Sequence, residues 1–477
     1  MSICVPRGVC QCDNDIFSTS VTKKGVFVMT NNDILSARGQ DMTSLQKCGI
    51  FPFFFRNFAN DMENRFDIII VGAGAAGMMA AIAASDGKRK ILLVEKMEQP
   101  GRKLRITGKG RCNLTNTAPI RDFITHIAPD GRFLRNAFSA FFNTELMNFF
   151  ESRGVPLVVE RGNRVFPKSG KSLDIFLAMI KTVESDRNIK ILKNNHITDI
   201  LTYEGRVSGV SLQNGGIAHC RSLIMATGGL SYPATGSTGD GYGMLRKLGH
   251  SIVEPVPALV PLVCDEKIPD ELAGFTLKNV ELSLSRHDGK KICSHFGELT
   301  FTPDGIGGPI TLSASRTASR LLAQGETLTA KIDLKPALNE DVLDKKLITD
   351  LNANGTRVLK DAMRLWLPAE IIPFALSRTK IEHYKRLNQI NATERKKLLQ
   401  LLKGLTLTIT GTRGFEEAII TQGGVALNEV NPKTFESKLV KGLYIVGELL
   451  DLDADTGGYN LQIAFSTGWV AGKRVES

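Results

Sequence analysis

The sequence lacks the long apolar runs that mark membrane spans and the paired cysteines that mark disulfide frameworks. No stretch of about 18 or more apolar residues occurs in the 477 residues. The densest apolar patch, Ile50 to Phe55, is too short for a span or a signal peptide. None of the eight cysteines forms a CxxC pair or a His/Cys metal spacing. The absences predict reduced thiols, no bound metal and a cytoplasmic protein that does not enter a membrane.

A long tract of lysine or arginine is also missing, although the formal net charge is +11. The excess of cations is spread along the chain, and its one dense cluster, residues 102–111, lies inside a glycine-rich motif. A basic protein can attract nucleic acid, but this spread is not typical of a nucleic-acid surface. The sequence therefore predicts a small-molecule substrate and no nucleic-acid partner, and it leaves the oligomeric state open.

Residues 1–61 show no sustained hydrophobic period. Five aspartates make them a poor transit peptide. They are predicted to be a disordered extension or the product of a start codon assigned too far upstream, and a targeting segment is the alternative. The role of this stretch stays open.

In the rest of the chain, the pattern of apolar and polar residues changes twice. An apolar strand at Phe66–Val71, a small-residue helix at Ala75–Ser85 and a strand at Ile91–Val94 form a βαβ unit. Alternating residues then predict antiparallel strands, and a helical pattern follows in which Asn391 and Glu394 resemble a capping box. The sequence predicts an α/β fold with a Rossmann-like domain at 62–255 and 406–477, interrupted by an antiparallel β part at 256–335 and a small helical part at 336–405.

The first glycine-rich motif lies between two predicted strands and opens a helix. Gly72 permits a tight turn, Gly74 lets the backbone approach a pyrophosphate, and Gly77 lets the helix pack on the strand. The free N–H groups at the start of the helix attract phosphate, and the acidic residue after the second strand suits a ribose diol. The motif predicts a dinucleotide site formed by Gly72, Ala73, Gly74, Ala75, Ala76, Gly77, Glu95 and Lys96.

A second stretch concentrates glycines, cations and hydroxyl groups between residues 101 and 116. This composition suits a diphosphate and the edge of a flavin ring. Cys112 has no closely spaced partner, which argues against pyridine-nucleotide disulfide reductase chemistry and favours a small buried residue. The residues predicted to contact the cofactor here are Arg102, Lys103, Arg111, Cys112 and Asn113.

Two further glycine-rich stretches follow predicted strands at Leu223–Met225 and Leu443–Val446. Small residues at a strand end let a cofactor lie against the backbone. A helix predicted at Leu461–Val470 would direct its N-terminus at the flavin and stabilise the negative charge that appears on reduction. The acidic residues at 451–455 are interpreted as a turn, because the bidentate Glu of an EF-hand loop is missing. The predicted contacts are Ala226, Thr227, Gly228, Gly447, Glu448, Gly457, Gly458, Tyr459 and Asn460.

These stretches resemble the BaiN/YhiN-type family of FAD-dependent (NAD(P)/FAD-utilising) oxidoreductases, relatives of bile-acid enone reductase and aminoacetone oxidase. The resemblance covers about residues 64–477. It rests on GRKLRITGKGRCNLTN from Gly101, RVFPKSGKS from Arg164, ATGGLSYPATGSTGDGYGMLRKLGH from Ala226, and a long segment from Thr421. It implies an FAD-binding domain interrupted by a barrel and a helical part, with FAD held non-covalently. No histidine in the sequence lies in a context that would tether the flavin.

The chain departs from the family pattern at one point. Relatives usually read Thr-His-Phe/Tyr-Gly-Leu/Ile-Ser-Gly-Pro in the insert, whereas this chain has Pro303 in place of the His and Gly307 in place of the Ser. A role of that His in substrate binding or proton transfer could not be carried over. The resemblance therefore does not assign a substrate.

The leading prediction is a two-electron oxidoreductase in which hydride passes through flavin N5 to an activated C=C bond or a related small-molecule substrate. A second GxGxxG unit is missing, so NAD(P)H would dock transiently as the electron donor, or another donor is used. The alternatives are an oxidase that uses O₂ on an amine or alcohol, an RNA-acting flavoprotein such as a tRNA modifier, and a flavin-binding protein without turnover. The candidate catalytic residues are Lys109, Arg111, Asn113 and Tyr232.

Overall fold

In the computed structural model, the described part of the chain consists of residues 11–12, 15–16, 18–22, 25–29 and 64–476. The chain divides into two compact units, Met1–Arg65 and Phe66–Ser477. The described strands of the first unit form two antiparallel pairs, β1 (Gln11–Cys12) with β2 (Asp15–Ile16) and β3 (Ser18–Thr22) with β4 (Gly25–Met29). The remainder of the stretch 1–61 lies outside the described residues, so the expectation of a disordered extension or misassigned start stays a prediction.

In the rest of the chain, strands alternate with helices, and the strands of a separate closed barrel are inserted among them. The strands, in chain order, are β5 (Arg65–Val71), β6 (Ile91–Val94), β7 (Thr115–Asn116), β8 (Ile127–Ala128), β9 (Leu157–Glu160), β10 (Arg164–Pro167), β11 (Ile189–Leu192), β12 (Ile197–Tyr203), β13 (Arg206–Leu212), β14 (Ile217–Met225), β15 (Ile252–Ala258), β16 (Leu262–Cys264), β17 (Thr276–Arg286), β18 (Lys291–Thr302), β19 (Gly305–Gly307), β20 (Leu328–Asp333), β21 (Leu405–Thr412), β22 (Ile420–Val425), β23 (Leu443–Ile445) and β24 (Asp453–Ala454). The α-helices are α1 (Ala75–Ala84), α2 (Arg102–Ile106), α3 (Ile120–Phe123), α4 (Arg135–Ala140), α5 (Asn143–Glu151), α6 (Ser172–Glu184), α7 (Asp240–Lys247), α8 (Pro309–Ala323), α9 (Glu340–Ala353), α10 (Leu359–Ala362), α11 (Ile372–Ser377), α12 (Ala392–Lys403) and α13 (Tyr459–Arg474).

A βαβ unit made of β5, α1 and β6 begins the large unit. β5 is buried from Ile68 to Val71 because its apolar residues run without interruption, as in a strand covered on both faces. It pairs in parallel with β6. A Cβ atom at Gly77 would lie 1.8 Å from the Gly72 carbonyl oxygen, so glycine there lets α1 pack directly on the turn. The predicted Rossmann-like unit is confirmed.

The central sheet has seven strands, in the order β11-β6-β5-β14-β13-β12, with β23 also beside β14. The pairs β6–β11 and β14–β23 are parallel, whereas β12, β13 and β14 form an antiparallel meander. The Ala226 N–H donates to the Val71 carbonyl at 2.8 Å, which brings the turns after β14 and β5 together. Ligands of doubly wound sheets bind at such an edge, where parallel strands end.

Helix α13 packs closely on α1 from the other end of the chain. A Cβ at Gly468 would lie 2.3 Å from the Ala76 carbonyl oxygen, and a Cβ at Gly472 would lie 2.4 Å from that of Ala80. The two glycines thus let the helix backbones approach one another. This contact holds the middle of α13 against the start of α1, next to the glycine-rich turn after β5.

The insert is a closed barrel of six strands, in the order β16-β19-β18-β17-β20-β21, with helices α9 to α12 beside it. The predicted capping box at Asn391 and Glu394 starts α12, with each side chain bonded to the other residue's backbone N–H.

The sequence did not predict α8, a helix of 15 residues that packs along the barrel. β21 closes the barrel, although it follows the helical part and lies in the stretch 406–477 that the sequence assigned to the Rossmann-like domain, beyond the predicted barrel part at 256–335.

The described residues form two large apolar cores and a small third cluster of Ala258, Leu259 and Ile420. One lies around the central sheet, and the other fills the barrel and the helices beside it. Among the helices of the described residues, none is both long and apolar enough to span a bilayer.

Candidate active site

A cavity of about 320 Å³ lies where β5, β14 and β23 end. It is continuous from the turn after β5 to the start of α13. The predicted cofactor residues that line it are Gly72, Gly74, Ala75, Ala76, Glu95, Lys96, Arg102, Lys103, Asn113, Ala226, Thr227, Gly228, Gly447, Glu448, Gly457, Gly458 and Asn460. The structure therefore gathers four separate glycine-rich stretches around one space.

The glycine-rich turn leaves an open approach to the start of α1. A Cβ at Gly74 would meet no atom within 4 Å, so the backbone of that residue borders free space. Behind it, Glu95 is buried and accepts hydrogen bonds from the N–H groups of Ala73 at 2.8 Å and Met97 at 2.9 Å. A carboxylate has about four acceptor sites. Glu95 is thus held in place and keeps acceptor capacity for a ribose diol.

Two buried side-chain oxygens in the cavity wall, Asn195 Oδ1 and Thr227 Oγ1, have no hydrogen-bond partner among the described residues. Leaving a buried polar atom unpaired is costly, so such atoms indicate a polar ligand. Both oxygens lie in the same cavity as the open approach at Gly74. The residues present fit a dinucleotide such as the predicted FAD.

Lys103 and Glu448 form an ion pair in the cavity wall, with 2.6 Å between Nζ and Oε2. The Ser231 hydroxyl donates to Glu448 Oε1 at 2.8 Å, and the Thr421 N–H donates to the same oxygen at 2.8 Å. Desolvation opposes ionisation of Glu448, but Lys103 and these two donors outweigh it and lower its pKa. The sequence predicted Lys103 and Glu448 as two separate cofactor contacts. It did not predict that Ser231 and Thr421 form hydrogen bonds with Glu448.

The start of α13 is fixed against β7. Gly458 has φ 101°, and a Cβ there would lie 2.3 Å from the Thr115 carbonyl oxygen. The Asn113 amide, oriented so that both its atoms have partners, accepts from Gly458 N–H at 3.0 Å and donates to the Thr115 carbonyl at 3.2 Å. Asn460 accepts from Ala454 N–H at 2.9 Å. These bonds hold the positive end of the helix at the cavity.

An arginine of the insert neutralises the acidic turn before α13. Arg316, on α8, donates from Nη1 to Asp455 Oδ1 at 2.6 Å and also pairs with the Asp453 carboxylate. Burial opposes the charge of Arg316, but Asp453 and Asp455 outweigh it and raise its pKa. Asp455 lines the cavity, and its other oxygen lies 2.8 Å from His126 Nδ1. Sequence reasoning missed Arg316 and His126, because only the folded chain brings them to the aspartates.

Seven predicted residues lie outside the cavity lining, namely Ala73, Gly77, Lys109, Arg111, Cys112, Tyr232 and Tyr459. Lys109 is exposed with φ 56°, and the Tyr232 backbone N–H donates to the Phe415 carbonyl at 3.0 Å. Cys112 is fully buried, and desolvation raises its pKa to about 12, which keeps the thiol protonated. The ring of Tyr459 stacks on that of His126, with centroids 4.4 Å apart. The cofactor and catalytic roles assigned to these residues stay predictions.

Arg111 also lies outside the lining. Its Nη2 is 2.5 Å from Glu160 Oε1, and its guanidinium lies over the Phe166 ring at 4.4 Å. The Arg111 guanidinium is therefore already paired with the Glu160 carboxylate and stacked on the Phe166 ring. A contact with cofactor or substrate would require it to leave Glu160, so its predicted role stays a prediction.

The insert segment that departs from the family pattern forms the turn between β18 and β19. Pro303 is exposed, and Asp304 next to it pairs with Arg413, with 2.7 Å between Oδ1 and Nη2. Arg413 holds the pKa of Asp304 low against the opposing effect of desolvation. No imidazole replaces the missing His within this turn.

A Ser–His–Glu arrangement lies away from the cavity. His250 is buried, with Nε2 3.0 Å from Ser437 Oγ and Nδ1 3.1 Å from Glu429 Oε2. Ser437 Oγ also accepts from the N–H groups of Leu439 and Val440, so both its lone pairs are occupied. Burial lowers the pKa of His250, despite the opposing effect of Glu429. The arrangement braces the turn before β23 and does not present a nucleophile.

This chain is similar to a known protein family, to named relatives and to solved structures. The profile of the HI0933-like protein Rossmann domain family matches residues 66–474. The chain is 32% identical over 408 residues to the 3-dehydro-bile acid delta(4,6)-reductase of Clostridium scindens, covering 85% of this chain and 97% of that protein. It is 27% identical over 406 residues to the ribosomal RNA dihydrouridine synthase of Escherichia coli, covering 85% and 96%. A solved flavocytochrome c3 fumarate reductase aligns over 92% of this chain and 81% of its own, with a TM-score of 0.43 and 16% identity.

Proposed function

The chain belongs to the HI0933-like protein Rossmann domain family and is a flavin-dependent oxidoreductase, and we propose that it uses NAD(P)H to reduce a C=C bond conjugated to a carbonyl group. The proposal rests on one observation above all. A single cavity is lined both by the open approach at Gly74 and by apolar side chains, among them Leu259, Ile419 and Leu461. FAD bound at Gly74 would share that cavity with these apolar side chains.

The residues that would hold FAD follow from the contacts in the wall. The N–H groups at the start of α1 and the free space at Gly74 suit the diphosphate, and Glu95 suits a ribose. Asn195 and Thr227 supply acceptors that lack partners among the described residues. When bound, FAD supplies two-electron hydride chemistry. The binding is proposed to be non-covalent.

The apolar part of the cavity lining suits an uncharged substrate. Leu259 comes from the chain just before the barrel, and Ile419 lies just before β22. Lys103 and Glu448 line the same cavity but neutralise each other, so they add no net charge for an ionic substrate. A conjugated ketone or a similar small apolar molecule fits this combination.

The names of the two relatives support the type of bond. A delta(4,6) pair of double bonds in a 3-dehydro steroid is conjugated with the 3-carbonyl, and dihydrouridine is uridine with hydrogens added across a ring C=C bond beside a carbonyl. Both names therefore describe addition of two hydrogens to an activated C=C bond. The second candidate for this chain is reduction of uridine in RNA, which the 27% identity to the dihydrouridine synthase and the net charge of +11 favour.

The test is a spectrum of the purified full-length protein before and after anaerobic NADH or NADPH. We expect a flavin spectrum that bleaches within seconds and returns when a conjugated enone is added. Return of colour with a uridine-containing RNA instead of an enone would establish the second candidate. A flavin that bleaches with an amine or alcohol, not with either nicotinamide, and forms H₂O₂ in air would overturn the proposal in favour of an oxidase.

A further inference from the structure

The insert has an apolar core of its own. Every residue of that core lies between 262 and 409, whereas the core around the central sheet includes no residue between 259 and 418. Among the described residues, the small third cluster joins the two bodies, because Leu312 of α8 packs on it from the insert. Where the apolar contact between two parts of a chain is small, relative motion is the default expectation. The insert can therefore move as one body without exposing either large core.

The chain passes between the Rossmann-like domain and the insert twice, just after β15 and just after β21. The Ile419 N–H donates to the Leu259 carbonyl at 3.2 Å, and the Arg413 N–H donates to the Pro261 carbonyl at 3.1 Å. The two connecting segments thus run side by side, and a hinge motion needs only a few such residues to change φ and ψ. The hinge is defined here as residues 259–261 and 413–419.

Leu259 is strained in the first segment of the hinge. Its φ is 51°, in the left-handed region that a leucine rarely adopts. The strain disfavours this conformation by about 5- to 30-fold. Such residues persist only where their surroundings hold them, and they are frequent in switch regions. Leu259 therefore favours a second form of the hinge in which its φ is negative.

Ion pairs between α8 and the acidic turn oppose that change. Arg316 pairs with the carboxylates of Asp453 and Asp455, and Arg320 Nη2 lies 3.6 Å from Asp451 Oδ1. All three contacts join side chains of the insert to side chains of the Rossmann-like domain. They can break without unfolding either body, so they hold the insert in place reversibly.

The cavity is lined by the hinge but not by the body of the insert. Leu259 and Ile419 line it, and so does Asp455, the partner of Arg316. Of residues 262–412, all of which the structure describes, none lines it. A rotation about the hinge would therefore change the wall at Leu259 and Ile419, and only an approach of the insert could add side chains to that wall.

We propose that the insert is a lid that swings about the hinge between two forms. In the form described here, Leu259 is strained, Arg316 is paired and the insert stays out of the cavity wall. In the second form, the ion pairs of Arg316 are broken, φ of Leu259 is negative and the insert covers the cavity. Closure of a lid encloses the substrate and keeps water out, and such motions are typical of enzymes. The swing does not depend on which substrate the protein reduces.

A distance between spin labels on the two bodies tests the swing. The labels are attached to p-acetylphenylalanine in place of Tyr203 on β12 and Tyr384 in the insert, so the native cysteines stay unlabelled. Both tyrosines are well exposed, at 66% and 67%. Pulsed double electron–electron resonance on the full-length holoprotein should give two distances in the wild type. A single distance that stays the same in every variant below would show a rigid insert and overturn the proposal.

Two substitutions of Leu259 isolate its strain. Leu259→Ala and Leu259→Gly both remove the packed side chain, but only glycine adopts a φ of 51° without strain. The ratio of the described form to the second form should be about 5-fold or more higher in Leu259→Gly than in Leu259→Ala. Equal ratios in the two variants would contradict a switch at this residue.

The double variant Arg316→Met/Asp453→Asn should shift the ratio in the opposite direction, toward the second form. It removes the ion pair and leaves no buried aspartate charged at position 453. Arg286→Met/Glu326→Gln is the matched control, because it removes an ion pair of 3.2 Å that lies entirely within the insert. The control should keep the wild-type ratio, and an equal shift in both double variants would overturn the role of Arg316.

Quenching of the flavin fluorescence by acrylamide gives a second measurement that needs no turnover. The flavin of Leu259→Gly should be quenched more strongly than that of Leu259→Ala, because the lid is open more of the time. Equal quenching would mean that the insert does not cover the cofactor. If no nicotinamide reduces the protein, the proposed function fails, whereas the distances and the quenching still decide whether the insert is a lid.

Discussion

The carboxylate of Glu448 and the ammonium group of Lys103 face each other 2.6 Å apart in the cavity wall, although 345 residues separate them along the chain. Each side chain is only about a fifth exposed, at 21% and 23%. Removing one partner of such a pair leaves the other desolvated and unpaired. The pair therefore links the second and fourth glycine-rich stretches and sets the local charge close to zero.

Replacing Glu448 with Gln should lower the free energy of unfolding by about 2–3 kcal/mol, less than a fully buried pair because the site is partly open. Urea denaturation of the apoprotein measures the change. Glu254→Gln is the control, since Glu254 is 82% exposed and pairs with Arg246 only at 3.3 Å. An equal loss in both variants would contradict the assigned role of the buried pair.

Gly74→Val should give a folded protein that no longer retains FAD. The valine side chain would project into the free space where the diphosphate approaches. The ratio of flavin to protein absorbance after gel filtration measures retention, and circular dichroism checks the fold. Gly243→Val, at an exposed helical glycine that also has no atom near its Cβ position, should keep the flavin. Yellow Gly74→Val protein would show that the diphosphate does not lie there.

Arg316→Met should destabilise the protein by about 3–5 kcal/mol, because it leaves the buried Asp453 carboxylate without its partner. The double variant Arg316→Met/Asp453→Asn removes both charges. It should lose less stability than the single variant, and denaturant unfolding of all four proteins of the cycle gives the coupling energy. Additive losses would mean that the two residues do not interact in solution.

Stability should fall as the pH drops below about 6.5, the ordinary pKa of histidine, because burial lowers the pKa of His250. The unfolded chain then binds a proton that the folded chain resists, so the loss grows until the pH passes the folded pKa. His250→Gln should show a shallower decline in the free energy of unfolding between pH 7.5 and pH 5.5. His287→Gln should keep the wild-type slope, and a shallower slope in that control would assign the effect elsewhere.

Local features of the fold followed well from the sequence. The glycine-rich turn, the parallel strands β5 and β6 and the capping box of α12 depend on residues close together in the chain, where side-chain size and backbone bonding decide the structure. The order of the glycine-rich stretches also indicated that they share one cavity. These features were predicted because each carries its own physical signal.

Long-range pairs did not follow from the sequence. The sequence predicted Arg111 as a cofactor ligand because it lies in a glycine-rich stretch, and it gave no sign of the ion pair with Glu160, which strands β9 and β10 bring beside it. Arg316 gave no signal, since it lies on α8, an unpredicted helix, and its partners are 137 and 139 residues away. The packing of the barrel on the sheet determines which charged residues form ion pairs. The pattern of residues along the sequence does not contain that information.

The close packing of α13 on α1 has a consequence for the timing of synthesis. Gly468 and Gly472 lock the late helix onto the early one, and that contact holds Gly458 and Asn460 at the cavity. A ribosome makes the glycine-rich turn after β5 almost 400 residues before it makes α13, since 72 and 459 differ by 387. Through most of translation, the nascent chain therefore contains the glycine-rich turn after β5 but not the part of the cavity wall that α13 supplies. The cavity wall is complete only once α13 has packed on α1, so a bound cofactor gains its last contacts only when synthesis of the chain is nearly finished.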